Sequence, residues 1–335
     1  MAKVDILVPC HNYARYLEQC MRSVLTQSVT DIRVLIIDDC SADESVAVAE
    51  RLAREDPRVS VIAHRTNWGH IATFNEGIAW AQSDYFLLLS ADDALAPGAL
   101  RRACAVLDAQ PEVVLVCGDS PQFRDAFPQA ADVASPEVKI WAGQDYLARC
   151  CAEVWNPIST PSAIVRTAAQ KAVGGYRPYL PHSGDLEMWL RLATHGDVAQ
   201  LSCAQAFYRV HDVNMHFAWF HDFLVNDREL RRAFESFFQD AAPRIRDCDA
   251  LRRRCSQRLA ERGIWWAYQK LRRLQLRGAV DCLRYASSVW HDRPEQEASL
   301  MKLSELLAPV RYAVGERQRR RRVARPAVLS APSRA

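Results

Sequence analysis

The first 120 residues alternate short apolar runs with amphipathic stretches, and that order limits the possible folds more than any other feature. Val4–Pro9, Ile32–Asp38, Val59–Ala63, Tyr85–Leu89 and Val113–Cys117 read as strands. Between them, Tyr13–Gln27, Asp43–Arg54, Gly69–Ala81 and Pro97–Ala109 read as helices. Ser41 or Asp43 is a candidate cap for the second helix, and Pro97 suits the first turn of the fourth. A βαβα order predicts an α/β fold, a mostly parallel sheet with helices on both faces. The runs are almost wholly apolar, as strands covered on both faces are. Each ends in polar residues: Cys10-His11-Asn12, Asp38-Asp39, Asn67 and Asp92-Asp93. Parallel strands bring such ends to one edge, where open α/β sheets bind ligands.

Beyond residue 117 the pattern loosens. Residues 118–155, with Pro121, Pro128 and Pro136, read as a loop-rich excursion. Ser162–Arg166 and Ala204–Val210 are strand-like, Gly174-Gly175 reads as a helix C-cap, and Leu186–Thr194 is an amphipathic helix. From about residue 220 the pattern is helical, with a long arginine-rich stretch at Leu251–Leu276 and shorter ones at Ala279–Val289 and Glu295–Leu307. Arg317–Ala335 is basic, then rich in Pro, Ser and Ala, and is expected to be disordered. The expected organisation is an α/β domain over 1–220, a basic helical extension over 221–316 and a disordered tail over 317–335.

Charge follows the same division. Residues 222–335 carry 25 Lys and Arg against 14 Asp and Glu, whereas residues 1–221 carry 18 against 26. The 11 cysteines are odd in number and lack CxxC spacing, which argues against a disulfide framework or a zinc site. With no signal peptide and no apolar run of membrane-spanning length, the expected location is cytoplasmic. Arg319–Arg322 are candidates for peripheral contact with anionic lipid at the inner membrane face. No nucleic-acid motif accompanies the basic stretch, and no nucleic-acid partner is expected.

Two adjacent acids at a strand tip suit a hard cation, Mg²⁺ or Mn²⁺, and such ions complete their shells with substrate phosphates. Neither GxxxxGK[ST] nor GxGxxG is present, so a nucleotide held here needs another source of positive charge. Asp39 is placed to accept hydrogen bonds from a base or ribose, and His11 offers a flat face for stacking. Asp185 opens an amphipathic helix, where a carboxylate is expected to stay ionised. There it can act as a general base toward a hydroxyl. His211 ends the last strand as a metal or phosphate ligand. Plainer roles exist: Asp92-Asp93 or Asp185 as helix caps, His211 as a satisfied strand-end histidine, Asp38 as a turn residue.

The motifs in this order resemble family 2 glycosyltransferases. Val4-Asp5-Ile6-Leu7-Val8-Pro9-Cys10-His11-Asn12 with Tyr16-Leu17 resembles the family's V-x-V-x-I-P-x-Y-N opening. Ser23-Val24-Leu25-Thr26-Gln27, Asp38-Asp39-Cys40-Ser41-Ala42-Asp43, and Asn67-Trp68-Gly69 with Asn75-Glu76-Gly77-Ile78 follow. Gly174-Gly175-Tyr176, Asp185 with its Leu-Glu-Met-Trp-Leu-Arg tail, and Tyr208-Arg209-Val210-His211 complete the series. The resemblance implies a GT-A, Rossmann-like fold and an inverting transfer of sugar from a nucleoside diphosphate donor, UDP- or dTDP-linked. The acceptor it implies is a hydroxyl of a cell-surface polysaccharide or lipid-linked glycan. His11 and Asp39 would bind base and ribose, Asp92 ribose or metal, Asp93 and His211 the Mn²⁺ or Mg²⁺, and Asp185 would be the base.

The chain departs from the pattern in three places. Ser90 stands where many members carry an acid, which leaves Asp93 to carry most of the metal. His11 replaces a frequent tyrosine. Thr73-Phe74 stand where an arginine is common, with His70 as a candidate substitute for its phosphate contact. Two other functions share these features. A sugar nucleotidyltransferase needs a glycine-rich basic loop where this chain has His11-Asn12-Tyr13-Ala14-Arg15. A non-enzymatic scaffold would use only the basic helices.

Overall fold

The computed structural model describes residues 3–124, 126–128, 130–212, 214 and 223–291. Strands β1 (Val4–Cys10), β2 (Ile32–Asp38), β3 (Val59–Ala63) and β4 (Tyr85–Leu88) alternate with helices α1 (Ala14–Leu25), α2 (Ser45–Glu55) and α3 (His70–Trp80). Then come β5 (Ala94–Leu95), α4 (Ala99–Ala109), β6 (Val113–Asp119), β7 (Gln122–Phe123), β8 (Val138–Trp141) and α5 (Gly143–Glu153). They are followed by β9 (Ile164–Arg166), α6 (Thr167–Val173), α7 (Gly184–Ala193), β10 (Asp197–Ala204) and β11 (Ala206–Arg209). Three helices close the described chain: α8 (Phe223–Ala241), α9 (Cys248–Arg272) and α10 (Leu276–His291).

Eight strands form one sheet in the order β3-β2-β1-β4-β9-β6-β10-β8. β1 runs parallel to β2 and β4, with Cys10 opposite Asp38, so the tips of all three strands share an edge. β9 and β8 run antiparallel to their neighbours. A second, three-stranded sheet, β5-β11-β7, sits just past the tips and ties the segment after Asp93 to the segment before His211. Every residue of β1 is buried, as a central strand between two helical layers requires. α1 faces the sheet through Leu17, Cys20, Met21 and Val24, the i, i+3, i+4, i+7 stripe of an amphipathic helix. Gly77 lets α3 press onto β1, since a Cβ there would lie 2.2 Å from a Leu7 methyl.

Asp5, buried in β1, receives Arg33 Nε and Nη2, both backbone N–H groups of Gln82 and Ser83, and the Ser83 hydroxyl. Burial alone would raise its carboxyl, but these donors outweigh it and hold it below the ordinary value. The entry to β4 is thereby fixed to β1.

Residues 118–155 are more regular than their prolines suggest, since β8 and α5 both lie there. β8 is a short edge strand whose first three residues are exposed, so it lacks an alternating apolar signature. β10 lies in a stretch assigned no element from sequence. Pro97 precedes its helix, which starts after Gly98 at φ +72°.

The chain divides into two compact units at Leu251/Arg252. The first extends past residue 220 because α8 docks on α7. Its Phe234, Phe237 and Phe238 are buried, and its Ser236 hydroxyl donates to Glu187 Oε1 at 3.3 Å. Within the second unit, α9 and α10 form a hairpin with Leu259, Gly263 and Ala267 on one side and Ala279, Cys282, Ala286 and Val289 on the other. A Cβ on Gly263 would meet Ala286 Cβ at 3.0 Å, so glycine sets the helix separation. The expected helix at Glu295–Leu307 and the tail at Arg317–Ala335 lie outside the described residues. None of the 11 cysteines is paired in a disulfide, and among the described residues no helix is long and apolar enough to cross a membrane.

Candidate active site

The loops after β1 and β2 are clamped by residues of the Asn12 and Asp38-Asp39-x-Ser-x-Asp motifs. Asn12, at φ +59°, donates its N–H to Ser41 Oγ and accepts from Ala42 N through Oδ1. Asp43 receives Ala14 N and Ser45 N, and Asp38 receives the N–H and hydroxyl of Ser41. Asp38 is a turn-former, and Asp43 ties the starts of α1 and α2 together. The clamp presents His11 at the edge: Nδ1 donates to the Asp39 carbonyl at 2.8 Å, Asn12 Nδ2 donates to Nε2, and the residue is exposed.

Asp39 accepts three hydrogen bonds and keeps one lone-pair site of its carboxylate. Oδ1 accepts from His64 Nδ1 and Trp68 N, and Oδ2 from Gly69 N, each at 2.8 Å. His64 Nε2 donates onward to Glu76 Oε2 at 2.8 Å. With a carboxylate on each nitrogen, the buried imidazole is held as the cation. Burial lowers the affinity of His64 for its proton, but Asp39 and Glu76 outweigh it, and its pKa is raised. Burial raises the Asp39 carboxyl in turn, and His64, Trp68 and Gly69 bring it below the ordinary value. Trp68 stacks on His64 with ring centroids 4.2 Å apart while remaining 59% exposed.

Asp92 and Asp93 follow β4. Asp93 Oδ1 accepts Arg209 N at 2.9 Å, and the Asp92 carbonyl accepts Arg209 Nε at 2.7 Å. The guanidinium of Arg209 lies between the rings of Tyr16 and Phe123. Asp92 Oδ2 accepts His211 Nε2 at 3.0 Å. Asp92 Oδ1 and His211 Nδ1 are buried without a hydrogen-bond partner among the described residues. Burial, then the charge of Asp92, drive the Asp93 carboxyl well above the ordinary range. Two adjacent buried acids, an unpaired carboxylate oxygen and an unpaired imidazole nitrogen fit a hard divalent cation. No cluster of three or more His, Cys, Asp or Glu with metal-binding geometry occurs among the described residues, so such an ion would need ligand oxygens to complete its shell.

Asp185 sits in the first turn of α7, two residues beyond Ser183 at the N-cap position, and is not itself the cap. Its Oδ2 accepts the Thr160 hydroxyl at 2.6 Å. The helix N-terminus favours the anion, yet burial outweighs it and moves the carboxyl above its ordinary value. The family's Leu-Glu-Met-Trp-Leu-Arg tail fixes this turn. Glu187 and Arg191 form a buried i, i+4 pair, and Arg191 Nη2 also donates to the Gly175 carbonyl at 2.8 Å. Asn75 holds Tyr176 at both backbone groups, donating to its carbonyl at 3.0 Å and accepting its N–H at 2.6 Å. Gly175 is required beside it, because a Cβ would lie 2.4 Å from Asn75 Oδ1.

A cavity of about 510 Å³ joins these parts. Asp92, Asp93 and Asp185 line it together, with Tyr13, His70 and Thr160 among its walls. His211 reaches the cavity rim through Asp92, whereas His11 and Asp39 lie on the adjoining strand tips. His70 is in the wall, its Nε2 donating to the Pro181 carbonyl at 3.0 Å. The open oxygen belongs to Asp92, and it is Asp92 that His211 touches. Thr160, Tyr13, His64 and Arg209 join the site without a role assigned from sequence. Arg209 was visible within Tyr-Arg-Val-His, but Thr160 lies in no motif. Trp189 is core, 3% exposed.

The eight-stranded sheet with its acids gathered at one edge can be compared with known proteins. Residues 5–149, under half of the chain, match the family described as Glycosyl transferase family 2. An uncharacterized glycosyltransferase of Bacillus subtilis (strain 168), EpsJ, is 30% identical over 122 residues, 36% of this chain and 35% of EpsJ. The alignment thus spans about a third of that relative's length. Staphylococcus aureus TarS 1–349, solved in complex with UDP-GlcNAc, superposes with a TM-score of 0.57 at 15% identity, over 86% of this chain and 91% of that one. A mannosyltransferase of Pyrobaculum calidifontis, PcManGT, in complex with GDP-Man and Mn²⁺, gives 0.56 at 16% identity, over 96% and 82%. The fold is that of GT-A glycosyltransferases.

Proposed function

We propose that the chain is an inverting glycosyltransferase. It moves a sugar from a nucleoside diphosphate donor, UDP- or dTDP-linked, to an acceptor hydroxyl of a cell-surface polysaccharide or lipid-linked glycan. The observation that carries this reading is the meeting of Asp185 with Asp92-Asp93 on one cavity. Asp185 takes the proton of the acceptor hydroxyl, whose oxygen bonds to the anomeric carbon. The bond from that carbon to the diphosphate breaks, and its electron pair leaves on the diphosphate oxygen. The raised carboxyl of Asp185 makes it a stronger base than an exposed aspartate, and Thr160 aims it. His11 stacks on the base, and Asp39 receives base or ribose donors. Asp93, His211 and the open oxygen of Asp92 would hold Mn²⁺ or Mg²⁺, which supplies positive charge against the leaving diphosphate.

The complexes of TarS with UDP-GlcNAc and PcManGT with GDP-Man and Mn²⁺ support this donor class and metal. A lipid-linked acceptor puts the substrate at a membrane surface, and peripheral contact through the basic C-terminal part follows from that. The test is a sugar-nucleotide panel with and without Mn²⁺, reading thermal stabilisation and release of nucleoside diphosphate. One donor should stabilise most and release its diphosphate only with acceptor and metal. Release of pyrophosphate instead would establish a nucleotidyltransferase, and no binding to any donor would leave only a scaffold.

A further inference from the structure

Exposed apolar side chains cluster at the tip of the α9–α10 hairpin. Seven consecutive residues, Leu271-Arg272-Arg273-Leu274-Gln275-Leu276-Arg277, are exposed. Leu274 is 85% exposed and Leu276 64%. Leu274 also stands at φ +58°, just past the end of α9. The turn is closed by Leu274 N donating to the Leu271 carbonyl and Gln275 N to the Lys270 carbonyl, the pattern in which glycine is the usual residue. A leucine there is unfavourable twice, through its backbone and through its wetted side chain. Local rules broken in this way are expected at functional positions.

The exposed apolar surface continues along one face of α10. Leu276, Val280 and Leu283 repeat at i, i+4, i+7 and are all exposed. They are separate from the buried Ala279, Cys282, Ala286 and Val289 that hold the hairpin together. Between Tyr268 and Arg284 the chain carries five cations, Lys270, Arg272, Arg273, Arg277 and Arg284, against one acid, Asp281. Exposed leucines interspersed with arginines at a helix–helix turn match the interface of an anionic bilayer, with an apolar layer below and phosphates above.

We infer that this hairpin tip docks on an anionic lipid surface, with Leu274 and Leu276 inserted and the arginines on headgroup phosphates. The inference rests on the proposed reading only for the location of the acceptor, because docking itself needs no sugar nucleotide. It is tested on the full chain by co-sedimentation with vesicles of phosphatidylcholine containing phosphatidylglycerol, against phosphatidylcholine alone, with no donor present. Binding is expected only to the anionic vesicles and should weaken with salt. Each neutralisation in Arg272→Gln and Arg273→Gln should weaken it about fivefold. Leu274→Gly suits the turn's backbone, so it should keep or raise the melting temperature while lowering vesicle affinity. No binding by the wild-type chain, or binding by Leu274→Gly and the arginine variants as strong as the wild type's, would overturn the inference. So would self-association of the wild-type chain that Leu274→Gly abolishes. Donor binding, measured separately by thermal shift, reports on the glycosyltransferase reading whether or not vesicles bind.

Discussion

At the tip of β2 the carboxylate of Asp39 accepts three hydrogen bonds, from a buried histidine cation and two backbone N–H groups. Two strands away, beyond β4, Asp92 keeps one buried oxygen without a partner, and Asp93 is pushed toward the protonated form. The first corner is complete before any ligand arrives. The second becomes electrostatically balanced only when something positive enters. In the proposed reading, a donor with both a base and a diphosphate matches that division: the rigid corner would recognise, and the unfinished corner would respond to charge.

The largest expected effect lies between the corners. Asp185→Asn should lower turnover about 10²–10⁴-fold, the range for loss of a general base. Its melting temperature should stay near that of the wild type, since the amide oxygen still accepts from Thr160 and a buried charge is removed. Diphosphate release and a thermal melt measure the two, and turnover within threefold of the wild type would remove Asp185 from the chemistry.

The acid corner comes next. Asp92→Asn should cut Mn²⁺-dependent donor turnover on the order of 100-fold with little change in folding. Asp93→Ala should lose activity and also about 1–3 kcal/mol of stability, because the buried Arg209 N–H loses its acceptor. Melting both variants with and without Mn²⁺ separates ligand loss from structural loss. If Asp92→Asn retains full metal dependence, the unpaired oxygen is no cation ligand.

The recognition corner should respond differently, and to pH. His64→Gln leaves Asp39 less firmly held and should raise the donor KM about tenfold with kcat nearly unchanged, equivalent to about one charged hydrogen bond. His64 has a raised folded pKa. Its contribution to stability is therefore full below the unfolded value near 6.5 and is lost as pH rises through the folded value. The stability gap between wild type and His64→Gln should shrink in that window. Turnover should fall at the acid end, where Asp185 takes up its proton at a pH above that of an ordinary aspartate. Urea melts across pH and a pH–rate profile report the two limbs separately.

Much of this was legible in the chain. Apolar runs of strand length between amphipathic stretches gave away β1 to β4 and β6, because central strands have nowhere to hide polar residues. The polar tips marked His11, Asp39 and Asp92-Asp93 for the same reason. β8 and β10 were not legible: an edge strand with exposed faces and a strand carrying Asp197, Gln200 and Ser202 lack the pattern. Thr160 and His64 were hidden because their partners lie 25 residues away in sequence, and no local spacing records a hydrogen bond of that reach. The motif residues proved to be of two kinds. Asn12, Asp43, Asn75, Gly77, Gly175 and Arg191 clamp loops or allow close packing, whereas Asp39, Asp92, Asp93, Asp185 and His211 gather at the cavity and its edge.

The smallest expected effect bears on whether the recognition corner is finished in advance. Trp68 covers His64 from the solvent side and contributes no side-chain bond to Asp39, its indole N–H going to Thr66. If its role is to shield an existing ion pair, Trp68→Ala should cost about 0.5–1 kcal/mol of stability, the scale of a cation on an exposed ring. Donor affinity should then change less than threefold, and Trp68→Phe should restore most of the stability. If Trp68→Ala instead weakens donor binding more than His64→Gln does, the exposed ring is itself a contact for the base. The β2 corner would then be incomplete without ligand, as the β4 corner is, and the contrast between them would reduce to one of charge alone.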